Sequence, residues 1–224
     1  MGKENRKELK EMEKRILLPV ISLNRHRMGI DGNGVTTLVA AFGCPLSCQY
    51  CLNPMAWDES IYPKCTKMSP QELYEKVKID SLYFKATGGG VTFGGGEALL
   101  HTDFIRAFKP YCEDGWNIAV ETSLHVPKPT IQKALEVVDE FIIDVKAEDK
   151  AIYQSYTGQA PMVWDNLELF RRTNKKVTIK VPYIEGYTTT DQVHATSNRL
   201  KAMGFDHILE IVYLNKEEIA NMKR

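Results

Sequence analysis

Three cysteines at C-x3-C-x2-C spacing constrain this chain more than any other feature of its sequence. Cys44, Cys48 and Cys51 lie in a loop with a glycine and two prolines, directly after the apolar run of residues 35–42. Thiolates are the usual ligands of iron–sulfur clusters, and a [4Fe–4S] cluster normally takes four of them. Three neighbouring cysteines therefore predict a cluster whose fourth iron stays open to a small molecule, as in catalytic metal sites.

The spacing leaves zinc as an alternative. Zinc prefers four nitrogen or sulfur ligands in tetrahedral geometry, and Cys65 is close enough in sequence to be the fourth. Zinc ribbons and knuckles, however, usually carry paired C-x2-C units or a C-x2-C with two histidines. Disulfides are disfavoured, because five cysteines are an odd number and no secretory signal peptide is recognisable.

Composition argues against several classes of protein. Lys plus Arg and Asp plus Glu each number 29 among 224 residues, so the formal net charge is zero. A dedicated nucleic-acid-binding protein would be basic, and no apolar run approaches the ~20 residues that cross a bilayer. We therefore expect a monomeric cytoplasmic protein, in a compartment where thiols stay reduced.

Apolar segments of strand length alternate with segments of helix length along the chain. The predicted strands cover residues 35–42, 91–93, 117–122, 141–146, 176–183 and 208–213. Such alternation is typical of βαβ units and a parallel sheet, and the number of repeats falls short of a closed barrel. The sequence predicts an α/β fold, a partial and open (β/α)6 TIM-like barrel.

Turn and capping signals assign the other segments. Ser69 followed by Pro70 is typical of a helix start, and a helix is predicted to run from there toward residue 85. Residues 1–29 are predicted as a charged N-terminal arm and lead-in, in which residues 16–21 pack as a short segment on the body. Residues 25–34 are predicted as a loop, and residues 30–224 as a single domain.

Polar residues collect at the predicted strand ends, where the sequence has Gly94, Gly95, Gly96, Glu97, Glu121, Thr122, Asp144, Lys146 and Lys180. Buried parallel strands place polar groups at their tips in any case, so one such residue alone indicates little. Glycines, however, expose backbone groups to a ligand, Glu97 can accept from an ammonium, and Asp144 and Lys146 point the same way. Together they predict a site for a zwitterion beside the open iron.

These motifs resemble those of the radical S-adenosylmethionine (SAM) superfamily. Within it they are most similar to the glycyl-radical-enzyme activating enzymes, of which the pyruvate formate-lyase activating enzyme is the type member. The matching segments are Cys44-x3-Cys48-x2-Cys51 with Tyr50, residues 31–37, 43–46 and 51–54, residues 91–97, 121–123 and 156–158, and Asp144-x-Lys146. The resemblance covers roughly residues 30–213, and its motifs are specific in combination.

The resemblance implies one [4Fe–4S] cluster, with the ligands Cys44, Cys48 and Cys51. The open iron would bind the amino and carboxylate groups of SAM. Gly95, Gly96 and Glu97 would contact its methionine part, with Glu97 facing the ammonium.

The resemblance also implies that Asp144, Lys146 and Lys180 hold the SAM carboxylate and ribose region. Glu121, Thr122 and Asp144 resemble the places that bind a monovalent cation beside SAM in the type member. Beyond the cluster and SAM, no catalytic side chain is expected.

The implied activity is reductive cleavage of SAM to a 5′-deoxyadenosyl radical, which takes a hydrogen from a glycine of a partner glycyl radical enzyme. Reduced flavodoxin or ferredoxin would supply the electron. The alternatives are a radical SAM enzyme acting on a small molecule, as in a 7-carboxy-7-deazaguanine synthase-like protein, or on a ribosomal peptide. A zinc-binding interaction module is the remaining alternative.

Several positions depart from the family pattern. Asn33 lies where the family usually has proline between two glycines, and Gly94 and Ala98 flank the Gly-Gly-Glu motif in place of the usual serine and proline. Asn215 stands where the type member has a histidine. Cys65 and Cys112 have no counterpart in the pattern and are predicted to be plain thiols.

Overall fold

The computed structural model describes residues 16–213 of the chain. Within them, one sheet of eight strands has the order β3-β1-β2-β4-β5-β6-β7-β8. The strands are β1 Leu18–Met28, β2 Val35–Ala41, β3 Thr66–Met68, β4 Gly90–Gly95, β5 Asn117–Thr122, β6 Glu140–Asp144, β7 Lys176–Ile184 and β8 Ile208–Tyr213. Strands β2 and β4 to β8 run parallel, each paired with the next. These are the six predicted strands, and β3 and β8 are the unjoined edges, so the prediction of an open α/β barrel is confirmed.

Helices connect the parallel strands. They are α1 Pro70–Val77, α2 Ser81–Thr87, α3 Thr102–Phe108, α4 Lys128–Val137, α5 Lys150–Thr157, α6 Val163–Leu167 and α7 Thr190–Ala202. Helix α1 begins with the predicted Ser69 cap, which forms a capping box with Glu72. The single helix predicted to run toward residue 85 is interrupted by the 3-10 turn Lys78–Asp80.

The lead-in before the first predicted strand forms β1, which the sequence prediction missed. This strand runs antiparallel to β2 and to β3. Its first residues, Leu18 and Val20, are buried, whereas the following residues are mostly exposed and polar. An antiparallel strand near a sheet edge can keep one polar face in solvent, so the apolar run of β1 ends at residue 21 and the polar residues after it were predicted as loop. Residues 25–28 are therefore strand rather than loop, and the predicted arm of residues 1–15 lies outside the described residues.

The two faces of the parallel sheet differ in chemistry. Side chains on one face pack under the helices, as shown by the ring of Phe93, which lies 5.6 Å from that of Phe108 in α3. Because successive strand residues point to opposite faces, the alternate positions line the other, inner face. We define the inner face by Leu38, Ala40, Thr92, Gly94, Ala119, Glu121, Ile142, Asp144, Thr178 and Lys180. This face is composed mostly of small and polar residues, with Glu121 and Asp144 near the C-terminal ends of their strands and Glu140 at the opposite end of β6.

Candidate functional site

The cysteine loop follows β2 and is fixed by backbone hydrogen bonds on both sides. The Gly43 N–H donates to the Ala56 carbonyl, and the Gly43 carbonyl accepts from Glu97 N–H, both at 2.8 Å. On the far side, the Gln49 N–H donates to the Tyr156 carbonyl at 2.8 Å. The loop therefore lies between the end of β4 and the end of α5, at the C-terminal edge of the parallel sheet.

Glycines at the end of β4 allow this close approach. A Cβ at residue 96 would lie 2.1 Å from the Gly43 carbonyl oxygen, and one at residue 95 would lie 2.8 Å from Ala40 Cα. Gly95 also has a positive φ of 87°. The predicted ligand-contacting glycines thus have a packing role, which brings β4 against the cysteine loop.

The three signature cysteines are half-buried free thiols close enough to influence one another. Burial raises the pKa of Cys44 to about 12, and Glu97 and the other two cysteines add to the rise. Burial likewise raises the pKa of Cys48, although the ammonium of Lys146 opposes it. Without a metal the Cys44 and Cys48 thiols are protonated at neutral pH, so iron binding has to displace those protons.

The three cysteine side chains are suited to an iron–sulfur cluster. The three thiols lie on one loop, and a cluster takes one thiolate at each iron rather than several at one ion. Among residues 16–213, no three His, Cys, Asp or Glu side chains are arranged around a single metal position. Cys65 is buried in a different setting, where its thiol lies 3.5 Å from the Ile61 carbonyl.

Glu97 has its hydrogen-bonding capacity filled by its own chain. Its Oε1 accepts from Thr122 Oγ1 at 2.5 Å and from Leu99 N–H at 3.2 Å. Its Oε2 accepts from the hydroxyl and backbone N–H of Ser123, at 2.7 and 2.9 Å. A carboxylate has about four lone-pair sites, so these four contacts hold the side chain in one orientation. The structure places Glu97 between the ends of β4 and β5, and its predicted contact with the SAM ammonium stays a prediction.

Burial raises the pKa of Glu97, and the donors on Thr122 and Ser123 oppose that rise. The side chain is only 2% exposed. A buried carboxyl surrounded by donors is a fixed structural tie, because moving it would leave several polar groups without partners.

Asp144 and Lys146 are brought together as predicted, and Asp144 retains one free oxygen. Lys146 Nζ donates to Asp144 Oδ2 at 2.6 Å, and the Tyr213 hydroxyl donates to the same oxygen at 3.3 Å. Asp144 Oδ1 is buried without a hydrogen-bond partner. Buried polar atoms are normally satisfied, so this oxygen is suited to a donor from a ligand. The SAM prediction therefore fits here.

Two tyrosines near Asp144 were not predicted as site residues. The hydroxyls of Tyr153 and Tyr156 are buried without partners. Burial raises the pKa of both, and the charges of Lys146 and Asp144 also act on them. The Tyr-Thr-Gly motif was a signal for Tyr156, and Tyr213 is the last residue of a predicted strand. Asn215 lies outside the described residues.

Glu121 and Lys180 form an ion pair across the inner face. Lys180 Nζ donates to Glu121 Oε1 at 2.9 Å. Burial raises the pKa of Glu121, the charge of Lys180 opposes that rise, and the carboxylates of Asp31 and Asp144 add to it. Lys180 is thus paired with Glu121, and its predicted contact with SAM stays a prediction.

The three residues predicted to bind a monovalent cation have separate partners instead. Glu121 is paired with Lys180, and Asp144 is paired with Lys146. The Thr122 hydroxyl is engaged by Glu97 and by Leu124 N–H. These residues therefore do not fit the expected cation.

A pocket of about 360 Å³ lies beside this site. It opens between the loop after β6 and the start of α7, and its lining includes Glu148, Ile152 and Val193. Lys146, which is predicted to contact SAM, also lines this pocket, whereas Val193 belongs to the packed layer between helices and sheet.

The chain is similar in sequence to activating enzymes. The pyruvate formate-lyase-activating enzyme of Clostridium pasteurianum is 31% identical over 153 residues, which cover 68% of this chain and 61% of that protein. The chain therefore spans less than two thirds of that relative. The choline trimethylamine-lyase activating enzyme of Oleidesulfovibrio alaskensis is 25% identical over 230 residues, covering 77% of this chain and 74% of that protein.

A solved structure shares the fold. Streptococcus suis SuiB, bound to precursor peptide SuiA, has a TM-score of 0.64 at 13% identity, covering 94% of this chain and 44% of that chain. The family model for the Radical SAM superfamily matches residues 38–197. Since that match spans more than half of the sequence, the chain belongs to the radical SAM superfamily, whose enzymes use a [4Fe–4S] cluster and SAM.

Proposed function

We propose that this protein reductively cleaves SAM and uses the resulting 5′-deoxyadenosyl radical to take a hydrogen from a glycine of a partner glycyl radical enzyme. The observation that carries the proposal is that Asp144 and Lys146 lie close enough to Cys48 to act on its pKa, while the buried Oδ1 of Asp144 has no partner in the protein. The names of both relatives, which are activating enzymes of two different lyases, support the partner class.

The residues of the chain hold and orient the reactants. Cys44, Cys48 and Cys51 would ligate the cluster, which when bound supplies one electron to the SAM sulfonium. Asp144 Oδ1 would accept from a hydroxyl or ammonium of SAM, and Lys146 would face its carboxylate. Lys146 is only 11% exposed and Asp144 22%, so these contacts form largely away from water, where they are stronger.

The proposed reaction balances in two steps. SAM and one electron give methionine and the 5′-deoxyadenosyl radical, as the bond between sulfur and the 5′-carbon breaks. The radical then takes a hydrogen atom from a glycine Cα, which leaves 5′-deoxyadenosine and a glycyl radical. A reduced flavodoxin or ferredoxin is the electron donor that we propose.

The compartment follows from the thiol chemistry. No helix in the part of the chain that the structure describes is both long and apolar enough to cross a membrane. We propose that the protein works in the cytoplasm, where the cluster ligands stay reduced, and under anaerobic conditions, because oxygen would react with the proposed radicals.

The proposal is tested with anaerobically reconstituted protein, dithionite and SAM. We expect 5′-deoxyadenosine and methionine in equal amounts, and, with pyruvate formate-lyase or choline trimethylamine-lyase added, a doublet in the electron paramagnetic resonance spectrum. Cleavage of SAM without a doublet on either lyase would refute these two partners and favour a small molecule or peptide as substrate. Absence of any 5′-deoxyadenosine would refute the enzymatic proposal.

A further inference from the structure

Three carboxylates on or beside the inner face are each paired with a side-chain cation. Asp31 is paired with Arg27 at 2.5 Å, Asp144 with Lys146 at 2.6 Å, and Glu121 with Lys180 at 2.9 Å. We call these six residues the inner-face charge cluster. They act on one another, because Asp31, Asp144 and Lys180 all shift the pKa of Glu121 and Glu121 shifts that of Arg27.

Lys180 binds Glu121, although Asp144 lies on the neighbouring strand. Lys180 of β7 is the direct cross-strand neighbour of Asp144 in β6. Its ammonium nevertheless reaches over β6 to Glu121 in β5, since Asp144 is already occupied by Lys146. The result is one protein cation for each carboxylate of the cluster.

Glu121 is also held in place sterically. A Cβ at residue 94 would lie 2.9 Å from Glu121 Oε2 and 3.1 Å from Leu38 Cδ1. The glycine at this position therefore makes room for the carboxylate, which is fixed between β4 and Lys180.

We propose that the ammonium of Lys180 takes the place of the monovalent cation expected at Glu121, so that this enzyme binds SAM without an external cation. The proposal rests on the proposed function, because it concerns the same SAM site. Without Lys180, Glu121 would be a half-buried carboxylate near Asp31 and Asp144, which disfavours its charge. A potassium ion, or a small ammonium ion, could then fill the space and restore the balance.

The experiment compares SAM binding in KCl and in choline chloride at equal ionic strength, by calorimetry on reconstituted protein. Wild type is expected to change its Kd by less than about twofold, whereas Lys180→Ala should bind about tenfold more weakly in choline chloride. Adding potassium or methylammonium should recover most of that loss. The matched control is Lys176→Ala, which removes a lysine at the other end of β7, paired with Glu140, and should respond to neither cation.

A second readout needs no SAM. The thermal midpoint of Lys180→Ala should rise when choline is replaced by potassium or methylammonium, whereas that of wild type should not. The melting experiment separates the cation proposal from the proposed function. If wild type binds no SAM in either salt, only the SAM site is refuted, because the effect of cations on melting can still be measured.

Two results would overturn the inference. One is a wild-type enzyme that loses SAM affinity or thermal stability in choline chloride, which would mean that it needs an external cation. The other is a Lys180→Ala variant whose SAM affinity and melting do not respond to the choice of cation.

Discussion

At the scale of single residues, the structure separates side chains that hold the fold from those left free for a ligand. Glu97 and Asp144 are both acidic residues at strand ends, and both were predicted to contact SAM. Their contacts differ, since Glu97 accepts from Thr122, Ser123 and Leu99, while one oxygen of Asp144 has no partner. The donors to Glu97 on β5 lie 25 and 26 residues away in sequence, so sequence spacing did not reveal them.

The first prediction concerns the cysteines. Cys48→Ala should lose most of the bound iron and all SAM cleavage, because the remaining two thiolates hold a cluster poorly. Its thermal midpoint should stay close to that of wild-type protein without iron, since the loop lies outside the sheet core. Cys65→Ala is the matched control and should keep iron and activity. Iron content and 5′-deoxyadenosine are measured, and an active Cys48→Ala variant would contradict the assignment.

The second prediction concerns Asp144. Asp144→Asn keeps the shape of the side chain but removes the charge that holds Lys146. We expect the Kd for SAM to rise about tenfold and the free energy of unfolding to fall by about 2 kcal/mol, because the ammonium of Lys146, only 11% exposed, loses its charged partner. Calorimetry and thermal melting measure the two effects. Unchanged SAM affinity would show that Asp144 does not contact SAM.

At the scale of elements, the cysteine loop depends on the glycines that end β4. Gly96→Ala should destabilise the protein by about 3 kcal/mol, since the added Cβ has no room beside the Gly43 carbonyl. The control is Gly204→Ala, which has open space but a positive φ of 92° and should cost only about 1 kcal/mol. Urea unfolding compares the two, and equal losses would mean that the close approach at residue 96 is unimportant.

The elements also show how far the sequence determines the fold. Strands β5 and β8 have the predicted bounds, because turn residues flank their apolar runs. Strand β1 was missed because pairing with β2, rather than an apolar pattern, holds residues 23–28 in place. The pairing of Lys180 with Glu121 could not be predicted either. It depends on side-chain positions across β6, which leave Lys146 with Asp144 and Lys180 with Glu121.

In the whole molecule, the two ends of the parallel sheet have different roles: one carries the candidate site and the other stabilises the fold. The C-terminal end carries the cysteine loop and Asp144. The opposite end is tied by buried acids, among them Asp80, which accepts from Arg25 at 2.5 and 2.8 Å and from Thr37 at 2.9 Å. Asp80 thereby links β1 and β2 to the turn before α2, far from the cysteines in the fold.

This link should make stability depend on acid pH. Hydrogen bonds from Arg25 hold the pKa of Asp80 below its usual value, so its contribution is complete above the unfolded-state pKa of about 4. It is lost as pH falls through the lower folded-state pKa. Asp80→Asn should reduce stability at neutral pH by about 2 kcal/mol, a modest figure because Arg25 is partly exposed to solvent. Urea unfolding between neutral and acid pH should show a shallower acid loss for the variant than for wild type, while SAM cleavage per folded molecule stays unchanged. A variant with the wild-type pH slope would exclude Asp80 as the acid-sensitive link.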